Sequence, residues 1–447
     1  MLARRTGLER GRGFSMNGAV PICKKIDEQE LETRIELNFR RLSEGDYYQI
    51  DDIFSPMEYT WYGDKEGRAL LAFVSHLKMS GRVIPCMPLM LKEMKNRFNA
   101  EGYLGPVYQE EIQEQQLSGH SWLLRGLCEH YQIYQDEFCL SAIRNITENL
   151  FVSKRNRFHS YPVNRSKMDT GGVSGSDIGK LDGWILSSDV GCAFMSIDGV
   201  SAAYCITKDA RVKDLVDEMM DVYLGIDLVK LQVQTHCTLT AARGMLRMYR
   251  EVGEEKYLNG AKYIMDLYVD HGGMTETYQN LNWWGRPETW TEPCAIVDSF
   301  MVAGELYKIT NDDTYRTLAA RIYHNGLATA QRENGGAGTD SIVLDGKNEL
   351  LYAQLYEAYF CCTMRLAEGL WYVKENKDLF AARLDGAVSK KGRVYADGDI
   401  LYAQVAEGAE EYAEHIVEVD GRRLCPIIKY YKLPAEVSQN LKQKILF

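Results

Sequence analysis

The chain has no run approaching the roughly 20 consecutive apolar residues that span a bilayer, so no transmembrane helix is expected. It also lacks an excess of basic residues, with 52 Lys and Arg against 63 Asp and Glu and a net charge of -11. A nucleic-acid or anionic-membrane surface needs the opposite balance, so neither partner is expected. The opening MLARRTGLERGRGF is basic but carries no apolar stretch and does not read as a secretory signal. Residues 1–26 read instead as a disordered leader, with Met16 an alternative start. Walker A, G-x-G-x-x-G after a strand and G-x-S-x-G are all missing, which leaves nucleotide-cofactor enzymes and serine hydrolases unsupported. A disulfide framework is missing too. The cysteines number eleven, an odd count scattered from Cys23 to Cys425, and in a leaderless chain they read as reduced thiols in a cytoplasmic protein. The glycosylation-like matches at Asn145 and Asn164 then carry no meaning.

What is present is an ordinary globular composition, 45% apolar and 26% charged. Amphipathic helical patterns cover 27–43, 61–81, 86–99 and the region near 119–134. A signature then recurs in HYQIYQDEFCLSAIRNITENL (130–150), AYCITKDARVKDLVDEMMDVYL (203–224), MYREVGEEKYLNGAKYIMDLYV (248–269) and LYKITNDDTYRTLAARIYHNGL (306–327). Each copy ends a helix in an aromatic, turns through a short polar segment and starts another helix, as an array of helical hairpins does. About six such pairs would close into an (α/α)6 toroid, and an open solenoid is the alternative. Long connections at 271–291 and 329–350 favour the toroid, because ordered loops of that length usually carry function. The expected class is mainly α, with a barrel domain over 27–375. After that, Gly and Asp punctuation with period-2 stretches predicts a small β-rich region over 376–447.

The chemistry gathers in HGGMTETYQNLNWWGRPETWTEPC (271–294) and in the pair Cys361 and Cys362. Glu292, Cys294, Cys361 and Cys362 make a four-donor set suited to zinc, which takes thiolate sulfur and carboxylate oxygen tetrahedrally. Packing as small hydrophobes, or a strained vicinal disulfide, are the competing readings of the cysteine pair. Glu276 follows a Gly-Gly turn in a loop with Trp283, Trp284 and Trp290. Sugars stack on aromatic rings, and a water-poor wall raises a carboxyl pKa as a general acid requires. Glu288 is its rival. His120 and His236 sit at expected loop–helix junctions, where a toroid's central cavity would be rimmed. His76, His130, His324 and His415 fall within regular patterns and read as structural.

At these residues the chain resembles the zinc-dependent β-L-arabinofuranosidases of glycoside hydrolase family 127. The likeness covers roughly 30 to 440 and is carried by WYGDKEGR (61–68), GYLG (102–105), SGHSWLLRGL (118–127), THCTLTAARGMLRMY (235–249), GGMTE (272–276), TEPC (291–294) and FCC (360–362). The resemblance implies Glu276 as acid/base, Cys361 as nucleophile, zinc held by Glu292, Cys294, Cys361 and Cys362, and sugar contacts from His120 and His236. It implies an (α/α)6 barrel with attached β domains. Pro293 between Glu292 and Cys294, a shortened loop before Cys361 and a reduced C-terminal region depart from the family pattern and leave sugar specificity open.

The expected activity is therefore retaining hydrolysis of a small oligosaccharide or glycoside. The ligand set carries four negative charges against two positive, so nearby donors or helix N-termini should offset the excess. A toroid sugar epimerase or isomerase working through His120 and His236, or a zinc-stabilised carbohydrate-binding protein, are the alternatives. Assembly into a homo-oligomer is left open.

Overall fold

The computed structural model of the chain describes residues 19–23, 28–55, 61–165, 175–275, 278–286, 289–344, 350–380, 388–389, 392–397 and 400–405. Among the described residues, twelve helices longer than one turn build the fold: α1 (Glu28–Glu44), α2 (Asp64–Ser80), α3 (Met87–Arg97), α4 (Glu114–Tyr134), α5 (Glu137–Asn145), α6 (Ser196–Thr207), α7 (Ala210–Leu224), α8 (Thr235–Val252), α9 (Glu255–Asp270), α10 (Pro293–Thr310), α11 (Asp313–Ile322) and α12 (Cys362–Glu375). The six even-numbered helices form an inner ring. Each packs on the next, and α12 packs on α2 to close the circle. The odd-numbered helices lie outside, and α1 covers α12 to complete the last pair. This is the α/α toroid expected from the repeats.

The repeat signature is a specific turn. Gln135, Lys208, Gly253 and Asn311 each adopt a left-handed conformation, with φ of 51°, 54°, 74° and 55°. Their N–H groups bond back to the carbonyls of Tyr131, Tyr204, Tyr249 and Tyr307, which closes the inner helix. In three of the four turns the next residue, an aspartate, caps the outer helix. Asp136 accepts from the Cys139 N–H at 2.8 Å, Asp209 from Arg211 at 2.9 Å and Asp312 from Thr314 at 2.9 Å. Two-residue turns force each outer helix to run back, so the inner helices are parallel and begin at one mouth.

Burial follows that placement. Outer helix α7 buries Val212, Leu215, Val216, Met219, Met220 and Tyr223, an i, i+3, i+4 stripe, whereas inner α10 is buried almost all round from Pro293 to Leu306. Inner-helix contacts are close. A Cβ on Gly67 of α2 would meet the Leu123 nitrogen of α4 at 2.2 Å, and one on Gly199 of α6 would meet the Ser121 carbonyl of α4 at 2.4 Å.

Short sheets ornament the ring. β2 (Ile112–Gln113), β3 (Asp177–Leu181) and β4 (Trp184–Ser187) pair in the order β2-β4-β3. β5 (Gly338–Leu344) and β6 (Leu350–Glu357) form an antiparallel hairpin that delivers the chain to the Cys361–Cys362 pair. In the C-terminal region β7 (Val388–Ser389), β8 (Gly392–Asp397) and β9 (Ile400–Val405) are antiparallel strands. β1 (Ala19–Cys23), within the stretch read as a leader, pairs with β9. The rest of 1–26 and of 376–447 lies largely outside the described residues. Among the described residues no helix is long and apolar enough to cross a membrane.

Helix α4 corrects one boundary. It begins at Glu114, not near 119, because the Gln113 side chain caps the Gln116 N–H at 2.7 Å. His120 is therefore in its second turn. Replacing Gly67 by alanine is expected to destabilise the protein by about 2 kcal/mol, although alanine is the better helix former, because the methyl has only backbone to displace. A denaturant titration would show a lower midpoint at unchanged slope; an unchanged or raised midpoint would mean the α2–α4 contact is looser than described.

Candidate metal centre at the mouth of the ring

Two inner helices present their N-termini side by side. Glu292 is the N-cap of α10 and Cys294 lies in its first turn; Cys361 is the N-cap of α12 and Cys362 its first residue. One donor atom from each of the four lies within 4.8 Å of every other. The Cys294 and Cys361 sulfurs are each 3.4 Å from the Cys362 sulfur. A tetrahedral zinc with thiolate bonds near 2.3 Å holds its sulfurs about 3.8 Å apart, so this set fits the ion in both donor chemistry and spacing.

The charge that the sequence left unbalanced has partners here. Both helix N-termini direct positive dipole ends at the cluster. Arg68 of α2 donates to the Cys294 sulfur at 3.5 Å and is held by Asp64 at 2.9 and 3.0 Å. Its guanidinium lies over the Trp122 ring at 4.1 Å, and Arg365 lies over the same ring at 4.6 Å. His236 Nδ1 is 2.9 Å from Glu292 Oε1, and the ring stacks on Trp122. The Gln234 side chain reaches the other Glu292 oxygen at 3.4 Å, while the Glu292 N–H donates to Asn280 at 2.8 Å. Glu292 is thus oriented from three sides.

One turn below the ligands, a buried carboxylate sets their register. Asp298 of α10 accepts from Arg365 of α12 at 2.5 Å, and from Arg243 at 2.8 Å and Thr240 at 2.6 Å on α8. His236 Nε2 lies 3.4 Å from it, which is too long for a strong bond. Burial alone would raise the Asp298 pKa, but Arg365 and Arg243 hold it well below the usual carboxylate range. Burial likewise lowers the His236 pKa, and Glu292 and Asp298 more than reverse that.

Burial pushes the thiols of Cys294, Cys361 and Cys362 well above the ordinary value. Without a cation all three stay protonated at neutral pH. With one, thiolates form and the proton count changes.

The other expected site residues fall as follows. Glu276 and Glu288 lie outside the described residues. Of the residues on either side of Glu276, Met274 is bridged to Asn280, and Asn280 is the residue that holds the Glu292 N–H. His236 joins the cluster. His120 does not adjoin the four donors by any contact described: Leu104 N–H donates to its Nε2 at 3.1 Å and Nδ1 meets the Gln116 carbonyl at 2.8 Å, so both nitrogens bind backbone. Burial lowers its pKa to about 4. Trp283, Trp284 and Trp290 are buried: Trp283 packs edge-on to Trp290, and Trp284 packs against Tyr268 and donates to Thr238 at 3.3 Å. These rings consolidate the loop and offer no open stacking face. Sequence reading missed Arg68, Asp298, Trp122 and Asn280. Arg68 lies within WYGDKEGR and Trp122 within SGHSWLLRGL, stretches singled out as a whole without roles for these side chains.

No family profile and no curated protein sequence matches the chain. Among solved structures it is similar to a GH127 beta-arabinofuranosidase, at 13% identity and TM-score 0.54, covering 88% of this chain and 67% of that one. It is similar also to an unsaturated glucuronyl hydrolase specific for heparin (11% identity, TM-score 0.53, 80% of this chain and 100% of that one). A third is the cellobiose 2-epimerase of Bacillus thermoamylovorans (12%, TM-score 0.50, 78% and 97%). A further solved glycoside hydrolase is matched over 64% of its length, so the chain spans about two thirds of the first two neighbours. At these identities the likeness establishes the toroid fold.

The reduced protein should hold about one zinc per chain, lost when Cys361 and Cys362 are both replaced by serine. Adding zinc to the metal-free protein should release about three protons, read as a buffer-dependent heat in calorimetry. Affinity should therefore rise with pH through neutrality, by up to about a thousandfold per unit while all three thiols are protonated. Release of no proton would remove the thiols from the ligand set.

Proposed function

We propose that the protein is a retaining glycoside hydrolase, β-L-arabinofuranosidase-like, that removes a terminal sugar from a small oligosaccharide or glycoside. The observation that carries this reading is the convergence of Glu292, Cys294, Cys361 and Cys362 within 4.8 Å at the mouth of a toroid. These four residues would hold zinc, which supplies the positive charge that keeps the buried thiols ionised.

Exposure favours Cys361 as the nucleophile. Cys361 is 9% exposed, whereas Cys294 and Cys362 are at 0%. Its thiolate attacks the anomeric carbon while the Glu276 carboxylic acid protonates the departing oxygen. Glu276, now a carboxylate, takes a proton from water, and that water displaces the Cys361 sulfur with a second inversion. Arg68 stabilises the sulfur anions by charge and hydrogen bonding, and His236 with Asn280 keeps Glu292 turned toward the thiols.

The histidine-based epimerase finds less support, since His120 has both ring nitrogens engaged by backbone. Cys361→Ser should lower turnover on an aryl β-L-arabinofuranoside by at least about a thousandfold, and Glu276→Gln by about a hundredfold or more. Glu276→Gln should recover most on substrates with a good leaving group. Near-native turnover by the serine variant, with zinc still bound, would end the covalent role of Cys361.

A further inference from the structure

We propose that Tyr62, at the rim of the metal-centre mouth, is the stacking platform for the sugar on the leaving-group side of the substrate. The preferred substrate is then a disaccharide or longer chain, not a simple glycoside. This rests on the glycosidase reading and adds to it the part of the substrate that departs.

Three sequence stretches meet at this residue: WYGDKEGR (61–68), GYLG (102–105) and SGHSWLLRGL (118–127). Tyr62 lies two residues before α2, and its carbonyl abuts Gly119 of α4, where a Cβ would meet it at 2.3 Å. Its ring rests on Gly105. A Cβ there would stand 2.4 to 2.8 Å from the Tyr62 Cγ and both Cδ atoms, so one face of the ring is backed by the turn. Gly105 has a φ of 84°, so conformation and contact both call for glycine. Tyr62 is nevertheless 38% exposed, and that exposure belongs to the part of the ring turned away from Gly105.

The turn beneath it is held from three sides. The Leu104 N–H donates to His120 Nε2 at 3.1 Å, the Asn99 side chain to the Gly105 carbonyl at 2.9 Å and the Gln116 side chain to the Pro106 carbonyl at 2.8 Å. His120 is fully buried, and its other ring nitrogen is fixed by the Gln116 carbonyl. Singly exposed rings are ordinary and need no such support. A buried histidine and two amides committed to one turn hold the platform in place before a ligand arrives, which lowers the ordering cost of binding.

Position selects the ligand. Asp64, two residues after Tyr62, holds Arg68 against the Cys294 sulfur, so platform and metal centre share the first turns of α2. Cys361 is only 9% exposed, so the sugar it attacks must enter the mouth, and the portion beyond the scissile oxygen stays at the rim. The C–H face of a sugar ring packs on an aromatic face, and tyrosine supplies that area at low entropic cost. Trp283, Trp284 and Trp290 are buried and do not offer it.

The test compares the zinc-loaded full chain on a β-L-arabinofuranosyl disaccharide and on methyl β-L-arabinofuranoside. Y62L keeps apolar bulk on Gly105 without a flat face. It should lower the kcat/KM ratio, disaccharide over methyl glycoside, about tenfold, while Y62F keeps the ratio within about twofold. Y62A gives the same comparison where leucine is not accommodated. Because the ratio is taken within one protein sample, it does not depend on the folded fraction. An unchanged ratio in Y62L and Y62A, or an equal loss in Y62F, would overturn the platform and leave the glycosidase reading standing. No turnover of either substrate by the zinc-loaded parent would end the glycosidase reading, and the platform with it.

Discussion

The Asp298–Arg365 ion pair is the contact on which the candidate centre depends. The four donors sit on two different helices, and nothing in either helix alone fixes their relative height. Asp298 follows Cys294 by four residues and Arg365 follows Cys362 by three, so each lies about one turn below its ligand. Their 2.5 Å contact locks α10 and α12 in the register that brings the sulfurs together. Arg243 and Thr240 extend the lock to α8, whose first turn carries His236. Buried pairs of this kind seldom add much net stability, because desolvation consumes most of the attraction. They do make wrong registers costly, since a slipped helix would strand a charge in the core.

The toroid explains why such a site can be assembled from distant parts of the chain. Parallel inner helices bring their first turns to one mouth, so residues far apart in sequence meet there with their dipoles aligned. Anionic ligands are favoured at that end, where the carboxylate and thiol donors gather.

Much of this was legible in the sequence. The tyrosine and left-handed residue of each turn, and the Asp cap of three of them, are local devices, and local devices leave local signatures. The four donors were legible because their chemistry is rare in combination. Arg68, Trp122 and Asp298 were not, because each matters through a partner on another helix. The tryptophan loop misled for a related reason: composition shows that large rings are present, while packing alone decides whether a ring faces ligand or core. Trp284 faces core because Gly273 leaves room against it. The α4 boundary was missed because a glutamine, an uncommon N-cap, starts the helix.

The packing of α12 on α2 closes the ring without a covalent link, and α1 covers α12 from outside across more than three hundred residues of chain. The four hairpins built on tyrosine turns need only neighbours and can form as soon as they are made. The final seam must wait for both partners, and bringing them together carries the largest loop-closure entropy of any contact in the ring. Cys361 and Cys362 lie at that seam, on the helix that α1 covers. The other two donors come from α10, so a metal bound there would clasp the last inner helix to its neighbour beside the seam at which the circle closes.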